Sequence, residues 1–162
     1  MANRVGRADL RMYDYSPQWV VKDKLAKSGR PGRELGADQG VPRAVVDEWI
    51  KKVQRMGVQS IICLLDDEHL HLYNDLPAGL LDYYRQNGFA VVNLPVRDPA
   101  HHPEGRKTLE ENLEKAWQAF QDLPGPVLVH CSAGIDRTGR VIEYIRSRLD
   151  EEGAGGKSDV VR

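Results

Sequence analysis

The chain has 162 residues, 41% apolar and 29% charged, with a formal net charge of −1 and two cysteines, Cys63 and Cys131. This is one domain's length with enough apolar content for its own core. The near-neutral balance gives no global pull toward nucleic acid, no run approaches the ~18 apolar residues of a membrane span, and two cysteines make no disulfide framework.

Residues 1–20 lack an apolar leader-like stretch, so the expectation is a cytoplasmic protein whose thiols stay reduced. Charge is uneven along the chain. Residues 1–55 carry 12 Lys/Arg against 7 Asp/Glu, and the remainder carries 11 against 17. Two readings stay open: a basic face near an anionic substrate, or plain solvated surface.

Residues 1–16 are polar and irregular, as in a flexible arm. Gln18 to Leu25, with Trp19-Val20-Val21, reads as an edge strand. Lys27 to Arg33 is a turn with three cations, followed by a Gly-rich connection. Pro42 suits a first helical turn, Val46, Trp49, Ile50, Val53 and Met56 follow at helical spacing, and Gly57 fits the position after the helix end. Val58 to Leu65 is a continuous apolar run, the pattern of a strand buried on both faces. Asp66-Asp67-Glu68 follows it. A helix is predicted over Gly79–Gln86 and a strand over Phe89–Val96.

Arg97 to Gly105 is a Pro- and Gly-rich loop at a strand's carboxyl end, where open α/β sheets place their sites. Thr108-x-x-Glu111 reads as a capping box opening a helix, with Leu109, Leu113, Trp117 and Phe120 as its core stripe. Trp117 is core rather than a stacking platform. Residues 151–162 are Gly-rich and polar, a flexible tail. The alternation predicts a single α/β domain over residues 17–150, a central mostly parallel sheet flanked by helices.

Residues 127–139 carry the chemistry. Val127-Leu128-Val129 enters a short loop opening on Cys131. Thr138 and Gly139 then start a helix with Val141, Ile142, Ile145 and Leu149 at helical spacing. A helix N-terminus attracts a tetrahedral oxyanion, and a short loop can turn its amides inward around it. Arg137 adds a bidentate grip on two oxygens. The same field favours thiolate over thiol, so Cys131 is placed to attack phosphorus. Breaking the ester needs an acid. Asp98 is the first candidate: it follows a strand end, opens the Pro-rich loop and lies 33 residues before Cys131. Asp66 and Asp67 are the alternatives. Adjacent His101 and His102 lack a spaced partner for a metal, so no metal or other cofactor is expected.

His130-Cys131-Ser132-Ala133-Gly134-Ile135-Asp136-Arg137-Thr138 resembles the His-Cys-x5-Arg-Ser/Thr signature of the cysteine-dependent protein tyrosine phosphatase superfamily, in its compact dual-specificity form. The resemblance implies that Ser132 to Arg137 bind phosphate and that His130 orders the loop. It also implies that Thr138 gives its hydroxyl to the sulfur and that an Asp in the position of Asp98 is the acid. The strand before Ser28-Gly29-Arg30-Pro31 resembles the opening of small atypical members, where it lies near the phosphate site; a plain surface loop is the competing reading. In some relatives a cysteine on the neighbouring strand pairs with the nucleophile, a role Cys63 would take unless it is simply a buried apolar thiol. Asp136 departs from the Gly of many relatives. An inward carboxylate would repel phosphate, so it is expected to point outward, toward Arg30 or Arg33.

The chain ends 31 residues after Cys131, too short for the large tyrosine-specific enzymes. The expectation is a monomeric hydrolase acting on phosphorylated protein at tyrosine and serine/threonine. The alternatives are a phosphoinositide or inositol polyphosphate phosphatase, and an inactive module that binds phosphorylated partners.

Overall fold

The apolar runs predicted as strands pair into one sheet. In the computed structural model, which describes residues 14–161, the strands are β1 (Gln18–Val21), β2 (Leu25–Ser28), β3 (Ser60–Cys63), β4 (Ala90–Asn93) and β5 (Val127–His130). Their order is β1-β2-β5-β3-β4. Four strands are parallel, and only β1 runs antiparallel, against β2. The predicted arm lies outside the described residues apart from Asp14, Tyr15 and Ser16.

The single strand expected over Gln18–Leu25 is two. The chain reverses at Asp23, whose φ of 62° is the left-handed conformation that Asp tolerates better than most residues. Lys27 and Ser28, read as part of a turn, instead continue β2 and pair with Val129 and His130 of β5.

The helices are α1 (Arg43–Met56), α2 (Asp67–Leu70), α3 (Gly79–Gln86), α4 (Gly105–Asp122) and α5 (Asp136–Val161). Side-chain alternation along the strands sorts the core into two layers. Ala26, Ile61, Cys63 and Leu128 face α1 and α3, against Trp49, Ile50, Val53, Leu80 and Tyr84. Leu25, Ile62, Val127 and Val129 face α4 and α5, against Leu109, Leu113, Trp117, Val141 and Ile145. All four residues of β3 are buried, as its unbroken apolar run requires. Trp117 is 1% exposed and belongs to the core.

Two helix boundaries differ from the sequence reading. α4 starts at Gly105, before the proposed capping box, and the Thr108 hydroxyl donates back to the Glu104 carbonyl at 3.4 Å instead. Gly105 permits this start because a Cβ there would fall 2.0 Å from the Arg97 carbonyl oxygen. α5 continues past Asp150 to Val161 where a tail was expected. Arg148 pairs with Glu151 at 3.7 Å and Gln121 reaches Glu152 at 3.3 Å, holding the first turn of that extension.

Candidate active site

β5 is the central strand, and its carboxyl end delivers Cys131 into the turn that precedes α5. Cys131 is 2% exposed, and its sulfur accepts the Gly134 N–H at 3.3 Å. Gly134 has φ 77°, and a Cβ there would lie 2.4 Å from the Ser28 carbonyl oxygen. Only glycine fits that close approach with left-handed backbone. The helix N-terminus then presents its unpaired amides and partial positive charge to the same space.

Arg137, on the first turn of α5, is also 2% exposed. Its Nη1 donates to the Val96 carbonyl at 2.8 Å, and its Nη2 lies 3.9 Å from Asp98 Oδ2. The loop after β4 is thereby held against the cradle. Asp98 Oδ1 accepts the Ala100 N–H at 3.0 Å, and its carbonyl accepts the N–H groups of His101 and His102, so a tight turn aims the second carboxylate oxygen at Arg137. Cys131, Ser132, Ala133, Asp136, Arg137 and Asp98 share one cleft of about 160 Å³. A larger hollow of about 590 Å³ beside Val45 and Trp49 is lined by neither a cysteine nor an arginine, so chemistry rather than size locates the site. Asp66 and Asp67 do not line the cleft; Asp66 instead lies 3.8 Å from Arg97.

His130 is fully buried, between Tyr84 and the cradle. Its Nδ1 lies 3.0 Å from the Cys131 carbonyl and its Nε2 2.9 Å from the Tyr84 hydroxyl. Burial pushes its pKa down to about 4; the Cys131 carbonyl opposes that, and Arg30 and Arg137 add to it. The ring is therefore neutral at pH 7, with Nδ1–H donating to the carbonyl and Tyr84 O–H donating to Nε2. Burial also lowers the pKa of His69, so both histidines act in the same direction. In the unfolded chain a histidine takes up its proton near pH 6.5. Folding stability should therefore be full above that pH and decline as the pH falls toward 4, by about 3 kcal/mol at the lower end for His130 alone. Urea midpoints at pH 7, 6 and 5 check this, and His130→Asn should flatten the decline.

The Thr138 side chain is fully buried, and its hydroxyl oxygen makes no hydrogen bond among the described residues. Ile135 and Asp136 are exposed. Asp136, expected to point outward toward Arg30 or Arg33, instead lines the cleft with its side chain exposed, and among the described residues it pairs with neither arginine. Arg30, expected on a surface turn, is 1% exposed and bonded to Ser132, so the turn after β2 lies against the loop that follows Cys131. Cys63 and Cys131 are both free thiols. Cys63 registers with His130, and its side chain belongs to the layer opposite that of Cys131. Burial pushes the Cys63 thiol up to about 12, which keeps it protonated.

The sequence reading missed Arg33, Asp38, Glu68 and His69, which complete the cleft wall. They come from the loop after β2 and from α2, and no local pattern marks them. Among the described residues no cluster of three His, Cys, Asp or Glu is arranged to hold a metal, and no helix is long and apolar enough to cross a membrane.

The fold, with a strand, a short loop and a helix N-terminus around Cys131, is that of a class, the DSP-PTPase phosphatases. A family model described as "Tc-R-P: Polymorphic toxin system, DSP-PTPase phosphatase" matches residues 36–149, and the chain belongs to that family. Two solved structures share the fold. One is kinase associated phosphatase (KAP) with its catalytic-site cysteine substituted by serine, at 20% identity and TM-score 0.53, covering 77% of this chain and 65% of that one. The other is a putative phosphatase (DUF442) from Shewanella putrefaciens CN-32, at 18% identity and TM-score 0.52, covering 89% and 74%. This chain thus spans slightly under two thirds of the KAP chain. No curated protein matches the sequence.

Proposed function

We propose that the protein hydrolyses phosphomonoesters of phosphorylated proteins, at tyrosine and at serine or threonine, through a cysteinyl-phosphate intermediate. The observation that carries this is the shared cleft in which a loop amide holds the Cys131 sulfur, Arg137 flanks it and Asp98 faces it.

The Cys131 thiolate attacks phosphorus as the P–O ester bond breaks, and Asp98 gives its proton to the departing oxygen. Asp98, now a carboxylate, takes a proton from water. That water attacks phosphorus, the P–S bond breaks, and phosphate leaves. The Thr138 hydroxyl donates to the sulfur as it departs. Arg137 and backbone amides of the loop from Ser132 to Arg137 hold the three equatorial oxygens throughout, and His130 holds the loop's shape. Each step is supplied by the chain's own groups.

The alternative of an inositol polyphosphate substrate draws no support from the cleft. Among the described residues of the basic first third, Arg33 is the one cation that lines it, and Asp38, Glu68 and Asp136 line it as well. The family's description as a DSP-PTPase phosphatase supports a phosphorylated substrate. The reading takes the enzyme as a monomer working in a reducing cytoplasm, where the thiolate survives.

Rapid acid quench of the enzyme with an aryl phosphate near pH 6, followed by mass mapping, tests this directly. One phosphoryl group on the Cys131 peptide is expected. Absence of both the adduct and phosphate release would sink the proposal. Asp98→Asn should lower kcat by about 10²-fold or more, most for poor leaving groups. An unaltered rate with poor leaving groups moves that role elsewhere.

A further inference from the structure

Arg30 lies in the turn after β2, ahead of the residues matched by the family model. At 1% exposure its guanidinium is out of water, and burying a cation is costly unless a counter-charge answers it. Every acceptor it meets is neutral. Nε donates to Ser132 Oγ at 3.3 Å, Nη1 to the Tyr73 hydroxyl at 3.2 Å, and Nη2 to the carbonyls of Gly36 and Ala37 at 3.3 and 2.9 Å. Tyr73 in turn donates to the Pro31 carbonyl at 2.6 Å, and burial holds its phenol protonated. Among the described residues Arg30 forms no ion pair.

The same turn is fitted to the cradle. The Arg30 N–H donates to the Ser132 carbonyl at 2.8 Å, and a Cβ on Gly29 would sit 3.1 Å from the Ala133 carbonyl oxygen. Ser132 lines the cleft, its oxygen accepts from Arg30, and its own proton is donated to no described residue. That proton is available to an anion in the cleft.

We propose that Arg30 is a positioning residue whose counter-charge is the anion in the cradle, first the Cys131 thiolate and then the phosphoryl group, reached through the Ser132 hydroxyl. The proposal rests on the reading of Cys131 as nucleophile. Other charged and titratable groups line or underlie the same cleft. Arg137 and Asp136 come from α5, Asp98 and His101 from the loop after β4, and Glu68 and His69 from α2. Arg33 and Asp38 lie on the loop after β2, and Cys63 and His130 on the strands beneath. All are retained in the variants below, so a change in phosphate binding and thiol reactivity reports the altered Arg30–Ser132 link.

The test measures two quantities in the intact protein at pH 7: binding of inorganic phosphate by calorimetry, and the rate of iodoacetamide alkylation of the Cys131 peptide by mass. Arg30→Met should weaken phosphate binding and slow alkylation, each by about tenfold, Ser132→Ala should do so part-way, and Arg30→Lys should bring both back toward the wild type. Wild-type affinity and rate in folded Arg30→Met overturn the proposal. Should Arg30→Met fail to fold, wild-type values in Ser132→Ala overturn it equally. Alkylation of wild-type Cys131 no faster than that of free N-acetylcysteine overturns the nucleophile reading instead.

Discussion

Cys131→Ser should reduce hydrolysis of an aryl phosphate by at least about 10⁴-fold, the scale on which enzymes lose rate when their nucleophile is removed. Both atoms can occupy the end of β5, and the Gly134 N–H would meet an oxygen as readily as the sulfur. The difference is ionisation. A thiol gives up its proton far more readily than a hydroxyl and is the better nucleophile. Binding should survive, because the amides and the guanidinium are untouched. The expected pattern is a collapsed kcat with phosphopeptide affinity retained, read by calorimetry. A serine variant that still turns over would place the nucleophile elsewhere in the cleft.

Arg137→Ala should cost about 10³–10⁵-fold in kcat/KM, the contribution of an arginine that stabilises phosphoryl transfer. It also strips the donor from the Val96 carbonyl, which Nη1 meets at 2.8 Å. Leaving that buried acceptor without a partner costs about 1–3 kcal/mol, so the urea midpoint should fall as well. Arg137→Lys separates the two effects. It keeps the charge but cannot serve the carbonyl and the phosphoryl oxygens together, because a point charge lacks the planar fork. Activity should therefore remain low, and full activity in the lysine variant would show that charge alone suffices.

The parts of the site that are contiguous in the chain were legible in the sequence. Strand, loop and helix across residues 127–139 carry their own signals in apolar spacing and in the Cys and Arg that bracket the loop. Asp98 was legible because strand ends and Pro-rich loops have local marks. The cleft wall was not. Glu68 and His69 enter through a helix of a single turn, and Arg33 and Asp38 through an irregular connection, so only tertiary packing assembles them. Strand β2 was hidden for a related reason: Leu25-Ala26-Lys27-Ser28 is too short and too mixed to show a period, and pairing with β5 stabilises it. Arg30 shows the converse failure. A cation beside Gly and Pro reads as surface, and nothing local reveals that Ser132 and Tyr73 enclose it. The direction of Cys63 is likewise set by register, since its pairing with His130 sends the side chain away from the layer of Cys131.

The rank of β5 within the sheet has a kinetic consequence. It is bonded on both sides, to β2 and β3, while β1 and β4 form the borders. Fraying at either border leaves the rungs on both sides of the nucleophile's strand intact, so the amides of Val127 to His130 should be among the slowest to exchange with deuterium. The reacting sulfur is then carried by the part of the molecule that opens only when the whole molecule does, and heat or denaturant should abolish turnover and the last protected amides together.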